Sequence, residues 1–465
     1  MRVTVAWSDP LFFRVGTIKT TQSFGKTHPG TPNTHTRPLT IMSETTFSLE
    51  AALANPSGVV SPESAEVVKA TVGVVVQHID TIVAHFYDEL FATVPDTHYL
   101  FNMSNQRDGS QRKSLVGALL AASPATLEEG KLEALMGHLE TVFHKHVALG
   151  VRPDHYKIVH DHFLGAVAAV LGDAVTDAVA AAWSEVVVAV SHAFIRHEDR
   201  VRPAMADATS GWTEPEPLEV LAVETVSEDE CCKTLRLRVK DESLRPVFSA
   251  GQYLTVLPPA QWPAHGPRHY TITTEPSAEQ VAARELSITV KKLEGESAET
   301  PDGLFSSWLT SLEAGAEIRA RAPMGGFGRP ASLASNPVEV FIGAGIGVTP
   351  LLPMASQATA AGSKVIIFPS ARTRKAAALE PALAGLAGAT IVHRYTREGD
   401  ARLTAADIVT KLGEEGVAVD APGLCVYVCG PRSFMTTMLP GLAAAGVAKT
   451  AIRFEAFGPT GELAV

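Results

Sequence analysis

The sequence predicts a multidomain chain of three units: an all-α unit, an antiparallel β-barrel and a doubly wound α/β unit, in that order. Three successive hydrophobic periods carry this expectation. Apolar residues recur at helical spacing over 61–200, then alternate with period two, then form short apolar strands separated by Ala/Leu-rich helical stretches. The length of 465 residues suits about three domains. With 46% hydrophobic and 19% charged residues, the composition is that of chains that bury an ordinary core.

The helical signal opens at Ser61-Pro62-Glu63-Ser64, a cap followed by proline at the first helical position. Apolar residues then recur through Val67, Val68, Val72, Val75 and Val76, and again through Ile79, Val83, Phe86 and Leu90. Pro95 marks a corner and 102–109 a loop, after which helical patterns span 127–149, 153–171 and 174–197. Residues 203–217, with Gly211 and Pro215, read as a linker. Leu218, Val220 and Ala222, then Leu235, Leu237 and Val239, show strand period, and 253–257, 269–273 and 286–291 continue it between Pro/Gly turns. The apolar runs 338–342, 364–369, 390–395 and 424–429 alternate with helical stretches, as a parallel sheet requires.

Several classes are disfavoured. A net charge of −11 repels nucleic acid and anionic membranes, and no basic stripe with interleaved aromatics is present. The longest apolar stretch, 340–355, contains Gly343, Gly345, Pro350 and Pro353 and falls short of the roughly 20 residues a bilayer needs. It reads as a buried strand entering a glycine turn. Cys231, Cys232, Cys425 and Cys429 form neither a disulfide framework nor a zinc pattern, which fits a reducing, cytoplasmic setting. Residues 1–57 are expected to lie outside the fold. Within them, 1–42 carry Arg2, Arg14, Lys19, Lys26 and Arg37 against a single Asp9, a weak match to an organelle transit peptide; translation is expected to begin at Met42.

No hydrolytic triad or carboxylate pair stands out, so the chemistry is expected from a cofactor. His138, His144, His146, His155, His160 and His162 fall within one 25-residue window. Such a density is also an ordinary solvated face, and His144 and His146, two apart, point in different directions on a helix. His146 lies near a helix end before Gly150 and Pro153, a place where a neutral imidazole ligates haem iron. Tyr156 and Glu198 are candidates to orient it, because a carboxylate accepting the ring's other proton makes the imidazole more basic. Read alone, Glu198 within His197-Glu198-Asp199-Arg200 is a surface acid. Further on, Gly343-Ala344-Gly345-Ile346-Gly347-Val348-Thr349-Pro350 follows a strand. Its glycines let backbone amides approach a pyrophosphate at a helix N-terminus, although such a turn alone is a weak signal.

Taken together these residues resemble a known family. His85-Phe86-Tyr87-Asp88, Phe101-Asn102-Met103-Ser104-Asn105-Gln106-Arg107, Gly109 and Gln111, then Lys145-His146, the 153–156 helix start, and Trp183 with Glu198, are similar to the globin half of the flavohaemoglobins. Arg268-His269-Tyr270-Thr271-Ile272-Thr273, preceded by Gly251-Gln252-Tyr253, resembles the Arg-x-Tyr-Ser/Thr flavin motif of the ferredoxin reductase superfamily. The glycine turn, Cys429-Gly430-Pro431 and Phe454-Glu455-Ala456-Phe457-Gly458-Pro459 match its nucleotide-binding half in order.

The resemblance covers roughly 58–465 and implies a globin domain at 58–200, a linker at 201–216, an FAD-binding β-barrel at 217–334 and an NAD(P)-binding domain at 335–465. It implies His146 as the ligand of haem b iron, with Tyr156 and Glu198 behind it. Tyr87 and Gln111 become the distal polar pair, Phe101 packs on the haem face and Leu115 closes the distal pocket. Arg268 pairs with the FAD pyrophosphate, Tyr270 lies against the isoalloxazine and Thr271 donates near its reactive edge, with Tyr253 and His269 on the same strands. Gly343, Gly345, Gly347, Thr349 and Pro350 cradle the nicotinamide cofactor, whose reactive ring reaches Cys429, Gly430 and Pro431. Phe457 covers the flavin and Glu455 lies beside it. This chain departs from the family at Val187, His269 and Thr271, where tyrosine, glutamine and serine are usual. Ser370, Arg372 and Arg374 fall where the adenosine ribose is read; two arginines there point to a 2′-phosphate and NADPH, although exposed arginines are common.

The implied function is nitric oxide dioxygenase: electrons pass from NAD(P)H through FAD to haem, and nitric oxide is oxidised to nitrate with O2. The rival readings are a flavin/haem redox sensor and an NAD(P)H-dependent reductase of other acceptors. The expected partners are nitric oxide, O2 and NAD(P)H, with no nucleic acid and no stable membrane insertion. The chain is expected to act as a monomer, with a homodimer as the alternative.

Overall fold

Ser61 caps the first helix by accepting from the Ser64 amide at 3.3 Å, and Pro62 fills its first turn, so α1 spans Pro62–Thr93. In the computed structural model, which describes residues 58–100, 122–262, 265–295, 302–330 and 337–457, the helical unit continues with α2 (Lys131–Met136), α3 (Glu140–Leu149), α4 (Pro153–Leu171) and α5 (Asp177–Ala208). The sequence-predicted helix 127–149 is interrupted: Gly137, His138 and Leu139 make turn bonds that end α2, and α3 starts in a new direction. α1 packs on α4 and α5 around Val68, Ile82, Phe86, Tyr87, Phe163 and Trp183. A second core joins Leu132, Phe143, Tyr156, Ala193 and Phe194. α1 and α5 are long and apolar enough to cross a membrane by length and composition, and both pack within this helical unit.

The expected helix end near His197 and the expected linker are corrected by α5, which runs on through Pro203 to Ala208. A proline inside a helix costs about 3 kcal/mol. Val201 and Met205 offset it by packing against Val147, Ala148, Tyr253 and Met324. The rest of the expected linker is no spacer either, since Trp212 is wholly buried in the barrel core.

The barrel comprises β1 (Glu216–Thr225), β2 (Cys232–Val239), β3 (Tyr253–Val256), β4 (Arg268–Thr271), β5 (Glu285–Lys291) and β6 (Glu317–Met324), with α6 (Ala278–Ala283) and α7 (Leu304–Thr310) in its connections. The strands are antiparallel in the order β4-β3-β6-β1-β2-β5, and a bridge from Ile272 to Ile288 brings the two edges together. Leu218, Val220, Leu235, Leu237 and Val239 point inward with the expected period of two.

The third unit holds β7 (Val338–Ala344), α8 (Leu351–Ala360), β8 (Lys364–Ala371), α9 (Glu380–Ala384), β9 (Ala389–Ile391), β10 (Arg394–Tyr395), α10 (Ala405–Glu414), β11 (Leu424–Gly430), α11 (Arg432–Ala444) and β12 (Ile452–Ala456). The parallel order β10-β8-β7-β11-β12, with β9 beside β8, has an apolar cluster on each face. The run expected as one strand at 390–395 is split into β9 and β10. The apolar stretch 340–355 is β7, a 3-10 turn and the start of α8.

Candidate functional site

α3 ends at Gly150, whose φ of 81° closes it with a left-handed cap, and this sets His146 in the last helical turn. The His146 Nδ1 atom lies 2.8 Å from Glu198 Oε1 and 3.0 Å from Tyr156 Oη. Tyr156 donates its hydroxyl proton to the same Glu198 oxygen. With Tyr156 donating there and a carboxylate able only to accept, the proton between ring and acid belongs to Nδ1. Nε2 is then the ring nitrogen that faces a metal, with the imidazole's orientation fixed by the carboxylate. Glu198 is fully buried, and burial and its neighbouring charge push the Tyr156 hydroxyl well above its usual range. The donor set therefore fits a haem iron.

The extension of α5 adds a residue that the sequence reading missed. Arg202, one turn beyond Glu198, places Nη2 3.5 Å from Glu198 Oε2 and donates Nη1 to the Val151 carbonyl at 3.0 Å. The i,i+4 spacing was readable in the sequence, but Arg202 lay in a stretch read as linker. Phe194 packs its ring 5.6 Å from that of His146. Val187, the departure from the family pattern, is buried in the α1–α4–α5 core, and the His146–Tyr156–Glu198 network closes without it. Tyr87 is 2% exposed on α1 and packs edge-on to Phe86. Phe101, Gln111 and Leu115 lie outside the described residues, as do residues 1–57 and the end of the C-terminal motif at Gly458 and Pro459.

In the barrel, β3 and β4 pair so that Tyr253 faces Thr271, Leu254 faces Tyr270, Thr255 faces His269 and Val256 faces Arg268. The two motifs separated in sequence are thus one ribbon. Arg268 donates Nη1 to the Gly266 and Pro267 carbonyls at 2.8 and 3.0 Å and sits 5.7 Å from the Phe305 ring, which also stacks on Tyr270. His269 Nδ1 lies 2.9 Å from Thr255 Oγ1, with its ring 4.5 Å from that of Tyr253. Burial, then the charges of Lys145 and Arg268, lower His269 to about 3, so this imidazole is neutral. Tyr253 Oη and Glu455 Oε2 are buried with no hydrogen-bond partner among the described residues. Orphaned buried polar atoms beside an Arg-Tyr-Thr strand fit a polar isoalloxazine edge.

The glycine turn is shaped by close approach. A Cβ on Gly347 would lie 2.4 Å from the Cys429 carbonyl oxygen, and Gly345 has a φ of 57°. Thr349 is buried and donates to the Ile346 carbonyl at 2.8 Å, and Pro350 caps α8. Across the sheet Gly343 pairs with Cys429, and Cys429 pairs with Glu455, so three distant sequence motifs meet at the C-terminal ends of β7, β11 and β12. Burial pushes the Cys429 thiol up, and Gly430 and Pro431 lead directly into α11. Phe457, just past β12, is 50% exposed. Arg374 is already engaged: its guanidinium is 3.3 Å from Glu380 and stacks 4.9 Å from the Tyr395 ring. Glu380, His393, Tyr395 and Ser370 line a cavity beside Gly345.

The helix bearing His146 touches both other units. Lys145 Nζ lies 3.2 Å from Glu455 Oε1 and 3.1 Å from the Ala456 carbonyl. His144 Nδ1 lies 3.1 Å from Met324 Sδ, and Val147 and Ala148 pack on Tyr253 and Met324. Lys145 was noted in the sequence for its spacing alone; its partners come from residues that only the tertiary fold brings near.

Residues 84–194 match the globin family, and residues 217–328 match the oxidoreductase FAD-binding domain. The flavohemoprotein of Rhodopirellula baltica is 31% identical over 419 residues, covering 87% of this chain and 99% of that protein. That of Bacillus subtilis is 30% identical over 415 residues, with 86% and 98% covered. Flavohemoprotein A of Dictyostelium discoideum is 31% identical over 409 residues, again with 86% and 98% covered. A flavohemoglobin from Malassezia yamatoensis, solved with FAD and haem bound, superposes with a TM-score of 0.71 at 26% identity, covering 86% of this chain and 99% of that one. Identity at this level across almost the full length of these relatives, with the helical unit, barrel and parallel sheet in the same order, places the chain in the flavohemoprotein family.

Proposed function

We propose that this chain is a nitric oxide dioxygenase that binds haem through His146, FAD across β3 and β4, and NAD(P)H at the glycine turn. Held by these residues, the nicotinamide, flavin and haem would supply hydride, its division into single electrons, and a site for O2 in the oxidation of nitric oxide. The observation that carries the reading is α3: one helix holds His146 and, through Lys145, Val147 and Ala148, is anchored to Glu455, Tyr253 and Met324 of the reductase half.

The chain's own residues have distinct tasks. Glu198 and Tyr156 hold the His146 ring in one orientation, and the anionic partner would push electron density toward iron, which favours oxygen activation over storage. Tyr87, with Gln111, is read as the distal polar pair, Phe101 as the residue against the haem face and Leu115 as the one that closes the distal pocket. Arg268 neutralises the flavin pyrophosphate, Tyr270 and Thr271 hold its ring, and Tyr253, packed against His269, offers its unpartnered hydroxyl to the isoalloxazine edge. Gly343, Gly345, Gly347, Thr349 and Pro350 admit the nicotinamide cofactor, and Cys429, Gly430 and Pro431 with Glu455 flank its reactive end. Phe457 shields the flavin until nicotinamide enters. The FAD- and NAD(P)-binding domains are read as 217–334 and 335–465, preceded by a globin domain whose last helix runs on to Ala208, in a cytoplasmic monomer whose partners are small molecules.

The test is nitric oxide consumption in air by substoichiometric protein loaded with haem and FAD. The expected result is nitrate as product, with one nicotinamide oxidised for every two nitric oxide molecules, because each conversion to nitrate takes up one electron. Flavin and haem that reduce with NADH while nitric oxide persists would replace this reading with a reductase of other acceptors.

A further inference from the structure

The turn between β1 and β2 carries two neighbouring cysteines that the reading above does not use. Cys231 is half-buried and Cys232 fully buried, both are free, and their Sγ atoms are 3.5 Å apart. Successive side chains along a strand normally point to opposite faces, so this pairing needs a shaped turn. Asp229 Oδ1 accepts from the Cys231 amide at 3.1 Å and from the Ser227 hydroxyl at 2.8 Å, while Ser227 Oγ accepts from the Cys232 amide at 3.0 Å. Glu230 turns the chain with a φ of 60°. The turn is also pinned to the α/β unit. The Asp229 amide donates to the Lys375 carbonyl at 3.1 Å, and the Leu379 amide to the Val226 carbonyl at 3.0 Å.

We propose that Cys231 and Cys232 form a dithiol binding site for a single thiophilic trivalent centre of the arsenite class. Adjacent Cα atoms are about 3.8 Å apart across a trans peptide, closer than the roughly 4.4–6.8 Å that a disulfide spans without strain. Direct S–S closure is therefore opposed, and both thiols persist. One atom bound to both sulfurs relieves that strain. With metal–thiolate bonds of about 2.3 Å, sulfurs 3.5 Å apart subtend about 100° at the shared atom, the angle of a three-coordinate pyramid. Zinc prefers four ligands in a tetrahedron, and no cluster of three His, Cys, Asp or Glu groups suited to a metal occurs among the described residues. The half-buried Cys231 provides the entry and Cys232 the buried second sulfur. With an organoarsenic(III) oxide, two As–S bonds form and the As–O bonds break. The oxide then leaves as water with both thiol protons, and no electrons are exchanged.

The probe is phenylarsine oxide, added to the full chain loaded with haem and FAD under reducing conditions and followed by intact-protein mass spectrometry. The wild type is expected to take up one phenylarsenic group and to keep it against excess 2-mercaptoethanol, with release at least about 100-fold slower than from C231S. 2,3-Dimercaptopropanol should strip it. C231S and C232S should each lose this retention, and the C425S/C429S double variant should keep it. Flavin absorbance and circular dichroism identify a misfolded variant; C231S changes the half-buried thiol and decides the question even if C232S does not fold. Retention by C231S, or release from the wild type as fast as from C231S, would overturn the proposal.

Discussion

At the scale of single residues, the burial of two side chains makes opposite demands. Glu198 is fully buried and tolerated because Tyr156, His146 and Arg202 surround it. Glu198→Gln keeps the shape and removes the charge, so the His146 ring loses its anionic partner. We expect the haem reduction potential to rise and nitric oxide turnover to fall by about ten- to a hundred-fold; a spectroelectrochemical titration of the Soret band reads the first. An unchanged potential would mean that Glu198 only fills space. His269 is the reverse case, a ring kept neutral. Its folded value of about 3 lies below the ordinary histidine value near 6.5. Between those limits the unfolded chain binds a proton that the folded chain refuses, so stability contributed here is full above about pH 6.5 and declines as pH falls toward 3. His269→Gln should flatten the dependence of Tm on pH between about 6.5 and 4 relative to the wild type. Parallel pH profiles of the two proteins would refute this assignment.

At the scale of elements, the sequence signals were strongest where a local rule and a tertiary need agree. The Ser61 cap and Pro62 placed the start of α1, and period two placed the inward residues of β1 and β2. They were weakest where packing overrides propensity: α5 continues through Pro203 because Val201 and Met205 have an apolar seat, and Trp212 joins the barrel core from a stretch rich in turn residues. The glycine turn separates two uses of glycine. Gly345 needs only a left-handed backbone, whereas Gly347 needs the absence of any side chain because the Cys429 carbonyl stands where a Cβ would be. Gly347→Ala should therefore raise the KM for NADH sharply and cost about 1–3 kcal/mol of stability. Gly345→Ala should cost roughly 1 kcal/mol or somewhat more. Steady-state kinetics and thermal melts on the pair make the comparison, and equal effects would contradict it.

At the scale of the whole molecule, α3 joins the helical unit to both parts of the reductase. Lys145→Met removes the contact with Glu455 and Ala456 while leaving β3, β4 and the glycine turn intact. Flavin reduction by NADH should change little, and the following reduction of haem should slow by about ten-fold or more, since small displacements between reacting groups carry large rate penalties. Stopped-flow absorbance at flavin and Soret wavelengths separates the two steps. Equal slowing of both would place Lys145 in nucleotide handling instead.

The sequence alone determined the order of the three units, the starts of the best-capped helices, the inward faces of the strands and the identity of the candidate motifs, because each depends on neighbours within a few residues. It also singled out Tyr156 and Glu198, although as an isolated acid Glu198 was indistinguishable from a surface residue. The tertiary structure decided what those motifs do together: that Nδ1 of His146 is the bonded nitrogen, that Arg202 stands behind Glu198, and that Gly343, Cys429 and Glu455 lie side by side. Lys145 meets its carboxylate 310 positions further along the chain, at 3.2 Å. Contacts of that kind depend on how sheets and helices close on one another, and local periodicity carries no record of distance between elements.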